Sequence, residues 1–529
     1  MLPDLESLEG RRAEAQARLD GLKSQRERNE LGQFATPAFL ARQMAEYVRV
    51  LWKDRGDRIH FLDPALGTGS FYSALRATVP EDLIESALGV EIDEAFAQAA
   101  SGLWAGMGLR VLKGDFTRLA PPKESERCNL ILTNPPYVRH HHLAQTEKVR
   151  LKRLSLATLG REINGLAGLY CYFMLLSHDW LAENGIGVWL VPSEFMTVNY
   201  GQALRHYLAT KVSLLRIHRF DPEELQFDDA LVSSAIVVFR KATPDPGHRA
   251  VLSFGGSLVH PHEDQPVPLS TLAYSHKWTA LSNGKGQGPG APSSERITLG
   301  TLFAIKRGIA TGANGFFVLP REEATRRGFA NAFLKPVLPS PRYLQQAIIE
   351  SDDQGYPVID RPLALIDTDL PEEEIKRACP PLWEYLRDGE RAGLREKYLL
   401  AKRSPWYRQE QRATAPFLCT YMGRAGKGGL PFRFFWNKSQ AVAPNVYLLL
   451  YPIGPLSEAL RKAPESRTIV FELLRRIDSA ALIREGRVYG GGLYKMEPKE
   501  LGRISAEVFV EALGLAVEPP VIQESLALL

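Results

Sequence analysis

The sequence predicts an α/β fold built on a parallel sheet, followed by a region of mixed α+β pattern. Three observations carry this. Apolar runs of strand length alternate with helix-like segments from Ile59 to Phe239, the pattern of successive βαβ units. The first four runs lead into side chains that accept hydrogen bonds, Asp63, Glu91, Asp115 and Asn134, at the strand edge where parallel sheets bind ligands. The alternation then stops, and the segment from Ala242 to about Glu295 reads as irregular, with a Gly-rich loop at Ser282–Gly290.

Bulk properties set the frame. A chain of 529 residues holds two or three domains, each with its own core. Hydrophobic residues at 45% and charged residues at 24% are ordinary for a globular protein. A net charge of +4 is mildly basic, compatible with nucleic acid without demanding it. The four cysteines lie far apart and show no zinc spacing, so reduced thiols and no metal site are expected. The N-terminus lacks the apolar core of a secretion signal, and no run approaches the ~20 apolar residues that span a bilayer. A cytoplasmic protein without membrane association is therefore expected.

The first strand, Ile59–Asp63, runs into Pro64-Ala65-Leu66-Gly67-Thr68-Gly69-Ser70-Phe71. Its glycines let backbone approach a ligand, although the third position of the dinucleotide fingerprint is Tyr72. The second strand ends on Glu91, placed to hold two ribose hydroxyls. The third, near Arg110–Leu112, leads to Asp115, which suits an amino group, and Phe116, which suits a flat ring. Each acid taken singly also suits a helix N-cap. Ahead of them, residues 1–30 form a charged amphipathic helix, read as a packing helix rather than a DNA arm. Thr36-Pro37 reads as an N-cap with proline at the first helical position, before a helix over Phe39–Leu51.

The fourth strand, Cys128–Thr133, opens into Asn134-Pro135-Pro136-Tyr137. The prolines fix the backbone and donate nothing. The segment thus offers the Asn134 side-chain oxygen and the Pro135 carbonyl as rigid acceptors for an amino group, and Tyr137 as a stacking face. Next come Arg139 and His140-His141-His142, which suit a phosphate-contacting loop better than a metal. Later strands fall near Ile186–Val191, Val212–Ile217 and Ser234–Phe239, and an apolar helix over Leu166–Leu181. Beyond residue 297, basic residues interleave with aromatics around Lys402–Arg408, Tyr421–Lys427 and Arg433–Lys438, a composition that suits nucleic acid or solvated faces over core aromatics.

In that order these pieces resemble the gamma-class N6-adenine DNA methyltransferases of bacterial restriction–modification systems, in particular the TaqI-like type. The resemblance rests on Thr36-Pro37, Asp63 to Phe71, Val90 to Asp93, Gly114 to Phe116 and Asn134 to Tyr137, and covers residues 31–241. It implies a Rossmann-like S-adenosylmethionine-binding catalytic domain over 31–241, a linker over 242–296 and a DNA target-recognition domain over 297–529. It implies S-adenosyl-L-methionine held by Thr36, Asp63, Ala65, Gly67, Glu91, Ile92, Asp115 and Phe116. Asn134, Pro135 and Tyr137 would be catalytic, with Phe227 joining Tyr137 at the flipped adenine.

The expected activity is methyl transfer to adenine N6 of a base flipped out of duplex DNA, by a monomer on double-stranded DNA, with a separate restriction endonuclease as a candidate partner. The same box also occurs in enzymes that methylate RNA or a protein glutamine. A non-catalytic DNA-binding subunit is a further alternative. Glu374-Ile375-Lys376 is the one nuclease-like fragment, and it lacks a partner aspartate.

Overall fold

The computed structural model describes residues 4–160, 162–221, 233–275, 277–278, 297–424, 430–489 and 492–516. It divides into two compact units, the first over residues 1–291 and the second over 292–529, apart from a short exchange at 489–491.

In the first unit, β1 (Ile59–Asp63) lies between β2 (Ile84–Glu91) and β4 (Cys128–Thr133), with β3 (Leu109–Lys113) outside β2 and β5 (Leu181–Pro192) outside β4. All four pairings are parallel. The strand order reverses between β1 and β4, so the loops leaving these two strands diverge and open a crevice at their carboxyl ends. Beyond β5, β7 (Ser234–Arg240) runs antiparallel between β5 and β6 (Ser213–Arg219). The central strands are covered on both faces. Leu130, Ile131 and Leu132 are all fully buried, which is why β4 reads as a continuous apolar run instead of an alternating one.

The expected irregular linker over 242–296 is corrected in part. Residues Arg249–Gly256 (β8) pair parallel with β6, and Pro261–Pro268 (β9) pairs antiparallel with β8, so the sheet has nine strands among the described residues. Ala250, Leu252 and Val267 are buried beneath it. The prolines of β9 disguise a strand in the sequence, yet an edge strand tolerates them because one row of its backbone groups has no partner. The helix expected over Leu166–Leu181 is shorter, Leu169–Leu176, because Leu181 already belongs to β5.

The N-terminal segment is two helices, α1 (Leu5–Gly21) and α2 (Gln25–Leu31). The break comes from Ser24 and Glu27, whose side chains cap each other's backbone N–H and start a new helix. Leu8 and Leu19 are buried, and α1 packs on α4 (Ser70–Thr78) and α5 (Glu94–Leu103). Gly32 ends α2 in the left-handed conformation, with φ +65°. Its carbonyl accepts from the Tyr137 N–H at 3.0 Å. The following helix, α3, covers Ala38–Trp52, with Pro37 at the N-cap and no side-chain cap from Thr36. The expected capping role of Thr36 is therefore not met, because its hydroxyl is committed to Asn134.

The second unit has a five-stranded sheet of Phe303–Arg307, Tyr447–Pro452, Phe417–Thr420, Phe434–Asn437 and Ile348–Ile349, in that spatial order, with smaller sheets and helices around separate apolar clusters. Here the aromatics of the basic clusters are mostly core: Trp406, Tyr407, Tyr421, Phe434 and Phe435 are buried. Arg403 and Arg433 bond backbone carbonyls, whereas Lys402, Arg408 and Arg424 stay exposed.

A test of the α2 connection follows. A Cβ on Gly32 would lie 2.5 Å from the backbone nitrogens of Tyr137 and Val138, atoms that a side-chain rotation cannot move. Gly32→Ala should destabilise the first unit by at least ~1–2 kcal/mol, the left-handed penalty alone. Gly10→Ala, in the open middle of α1, should be neutral or stabilising. Calorimetric unfolding that treats the two substitutions alike would refute the tight contact.

Candidate functional site

The loops leaving β1, β2, β3 and β4 surround one cavity of about 600 Å³, a size typical of small-molecule sites. Thr36, Ala65, Gly67, Glu91, Ile92, Asp115, Phe116 and Asn134 all line it. Residues from four separate strand ends and from the segment before α3 are thus brought together.

The loop after β1 is pinned from several sides. The Leu66 N–H donates to the Val90 carbonyl at 2.9 Å and the Gly67 N–H to Glu91 Oε2 at 2.8 Å. The Asp93 N–H donates to Glu91 Oε1 at 2.8 Å. Each Glu91 oxygen therefore holds one amide and keeps capacity for a second donor. Burial pushes the Glu91 carboxyl above its ordinary value. Beside it, Ile92 is 64% exposed and lines the cavity, an apolar wall where a ring can lie.

Asp63 is set one layer back. It is fully buried and does not line the cavity. Its Oδ1 accepts from Thr133 Oγ1 at 2.6 Å and from the Ala65 N–H at 3.0 Å, and its Oδ2 has no partner. Burial raises its pKa to about 7.

Asp115 caps a short turn: Oδ1 accepts from the Thr117 N–H at 2.9 Å and its hydroxyl at 2.8 Å, and Oδ2 from Arg118 at 3.2 Å. It thus fills the capping role and faces the cavity as well. Phe116 packs on Phe173 and Trp180.

The Asn134 side chain is held from two sides. Its Nδ2 donates to the Phe34 carbonyl at 3.2 Å and to Thr36 Oγ1 at 3.1 Å. Two acceptors fix which way the carboxamide faces. Its Oδ1 is left buried and without a partner, an arrangement that costs about 1–3 kcal/mol unless a donor arrives. Pro135 is buried and is not among the residues that line the cavity.

Tyr137 departs from expectation. Its ring is 7% exposed, set between Phe34 and Tyr170 with centroids at 5.7 and 6.3 Å, and its hydroxyl donates to the Leu190 carbonyl at 3.1 Å. The face expected to meet a base is therefore covered in this conformation. Phe227 lies outside the described residues. His140–His142 form a turn after Arg139, with His142 on the cavity wall. Among the described residues no group of three or more His, Cys, Asp or Glu is placed to hold a metal ion, and no helix is long and apolar enough to cross a membrane. All four cysteines are free thiols. Glu374 and Lys376 lie in a helix over Glu372–Ala378.

Sequence reasoning missed Gln16, Asp20, Glu30 and Phe34 as wall residues. The Ser24-x-x-Glu27 capping box was the legible sign that the N-terminal helix breaks and turns back.

The buried Asp63 gives a pH test. Its folded pKa lies above the unfolded value, so the folded protein retains a proton that the unfolded chain has lost, and stability falls as pH rises from about 4 to about 7. The loss across that window is roughly 4 kcal/mol at most. Asp63→Asn should flatten that slope, leaving the variant relatively more stable at pH 8 than at pH 5. Parallel slopes in urea titrations of the two ligand-free proteins would show that Asp63 is ionised throughout.

Both parts of the chain match described families. Residues 82–226 match the Eco57I restriction-modification methylase family, and residues 291–513 match the C-terminal domain of Type II methyltransferase M.Eco57I. Type II methyltransferase M.XamI of Xanthomonas campestris pv. amaranthicola is 28% identical over 485 residues, covering 89% of this chain and 84% of the relative. Type II methyltransferase M.AccI of Acinetobacter calcoaceticus is 25% identical over 492 residues, covering 90% and 85%. Among solved structures, the Type IIL restriction-modification enzyme MmeI in complex with DNA superposes with a TM-score of 0.60 at 13% identity, over 91% of this chain and 69% of that one, a likeness of fold. With an Eco57I-type match on either side of the unit boundary and relatives aligned along nearly the whole length, the chain belongs to the restriction–modification DNA methyltransferases.

Proposed function

We propose that this enzyme transfers a methyl group from S-adenosyl-L-methionine to N6 of an adenine flipped out of duplex DNA. The observation that carries the reading is the Asn134 carboxamide. Both its N–H groups are engaged, and its buried Oδ1 has no donor. That oxygen suits an incoming amino group, and an adenine N6 is unreachable inside a duplex, so the base must leave the stack.

The cavity fits the methyl donor. Glu91 would accept from the two ribose hydroxyls, Ile92 and Phe116 would flank the adenine ring, and Asp115 would accept from its amino group. Gly67 and Ala65 bring backbone close, and Thr36 would stand by the methionine end. Asp63 would act from behind, fixing the Ala65 N–H and leaving Oδ2 for the amino group of the same end. When bound, S-adenosylmethionine supplies an electrophilic methyl group on a sulfonium.

At the acceptor, Asn134 Oδ1 takes one N–H of the amine and the Pro135 carbonyl the other. The nitrogen lone pair is thereby turned out of conjugation with the ring and toward the methyl carbon. Positive charge would grow on that nitrogen as its bond to the methyl carbon forms and the methyl–sulfur bond breaks, the sulfur leaving as a neutral thioether. The two fixed acceptors would stabilise that charge without reorganising until one amine proton is lost to solvent. Tyr137 would stack on the flipped base, with Phe227 opposite. This requires the Phe34 side chain to turn away from the Tyr137 ring. The second unit supplies target recognition, with the exposed Lys402, Arg408 and Arg424 available to phosphates. The relatives' names point to a restriction–modification setting, in which a separate endonuclease would be the functional partner.

Methylation assays on duplex DNA, RNA and protein, followed by nucleoside analysis, test the acceptor. N6-methyladenine in DNA is the expected product. Asn134→Ala should slow single-turnover methylation at least ~10²-fold while DNA binding survives. Normal turnover in that variant would eliminate the proposed chemistry.

Tyr137 gives a second test. Tyr137→Phe keeps the ring but removes the bond to Leu190, so it should lower stability by about 1 kcal/mol and leave methylation nearly intact. Tyr137→Ala should lose stacking worth ~1–3 kcal/mol. Equal losses of activity in the two variants, read with 2-aminopurine at the target position, would assign the role to the hydroxyl.

A further inference from the structure

One wall of the cavity comes from neither the strand-end motifs nor the family-matched region. Gln16 and Asp20 of α1, with Glu30 and Leu31 of α2, line it, and all precede residue 82, where the first family match begins. Two cations fasten this wall to the strand-end loops.

The first is Arg12, only 4% exposed. Its Nη1 donates to Thr68 Oγ1 at 3.0 Å, while its Nε and Nη2 are held by the Glu9 carboxylate at 2.8 and 2.6 Å. The Thr68 hydroxyl in turn donates to Gln16 Oε1 at 2.8 Å, and the Thr68 carbonyl accepts from the Trp104 indole at 2.9 Å. Thr68 is the residue after Gly67, whose N–H holds Glu91 Oε2.

The second is Lys23, whose Nζ donates to Asp93 Oδ2 at 2.5 Å and to Gln33 Oε1 at 2.8 Å. Asp93 caps α5, and its N–H holds Glu91 Oε1. Each of the two amides that aim the Glu91 carboxylate therefore belongs to a segment tied down by one cation from the N-terminal helix region. Both ties are charge-assisted hydrogen bonds, stronger as a class than neutral ones.

We propose that Arg12 and Lys23 are positioning residues for the cofactor: acting through Thr68 and Asp93 they fix the amides that orient Glu91, and the α1–α2 pair sets how long S-adenosylmethionine stays bound. The inference rests on the reading of the cavity as the S-adenosylmethionine site.

The test uses the full chain with Arg12→Gln, Lys23→Met and Lys23→Arg. Release of radiolabelled S-adenosylmethionine is followed in a chase with unlabelled S-adenosylmethionine, beside kcat and KM on duplex DNA. Lys23→Met should speed release about tenfold, the scale of one charge-assisted hydrogen bond. It should raise the KM for S-adenosylmethionine while kcat at saturation holds. Lys23→Arg should recover most of the loss, and Arg12→Gln should release at least as fast as Lys23→Met. Lys23 is partly exposed, with 22% of its side chain accessible, so its variant carries the test even where Arg12→Gln does not fold. Unchanged release from folded Lys23→Met, or a lowered kcat with unchanged release, overturns the inference while wild-type binding keeps the site reading intact. Failure of the wild-type protein to bind S-adenosylmethionine overturns both.

Discussion

The hydrogen bond between Thr133 and Asp63 ties the site together. It joins the last residues of β4 and β1, the two strands between which the sheet changes direction, at 2.6 Å and in full burial. Without water to compete, such a bond is stronger than at the surface, and loss of either partner would strand the other. From Asp63 the chain turns into the glycine loop. From Thr133 it turns into the Asn134–Tyr137 box. The spacing between these two loops is set by this contact and by the parallel pairing beneath it.

Some of this was legible from residues alone. β1 and β4 fall where their apolar runs placed them, since strands buried on both faces need uninterrupted apolar sequence. Glu91, Asp115 and Asn134 meet at one cavity because parallel strands bring their carboxyl ends to one edge, whatever their separation along the chain. Other features depend on distant packing and left no local mark. The prolines of β9 read as a linker because a strand's tolerance for proline depends on its being an edge. The cover over Tyr137 comes from Phe34, about a hundred residues earlier in sequence. In the second unit, the arginines beside aromatics looked like a nucleic-acid surface, yet several bond carbonyls over core rings.

Asn134 shows how the two kinds of information combine. Its identity and position follow from the strand and the prolines. Its orientation does not: Phe34 and Thr36 hold the carboxamide nitrogen, and only then is the oxygen left without a donor. The orientation of Asn134 is therefore shared between a motif and the segment laid across it. Gly32 is needed there because the backbone of Tyr137 leaves no space for a side chain.

That lay-across bears on how the enzyme comes into being. Translation proceeds at roughly 5–20 residues per second, so the Gly32–Thr36 segment waits on the order of ten seconds before its partner strand end is synthesised. Over that interval α1 and α2 can form locally, but Phe34 has no Tyr137 to cover and Thr36 has no Asn134 to hold. The Asn134 carboxamide gains its orientation only after the first four strands have assembled. A nascent chain therefore carries an unset site until the sheet behind it has closed.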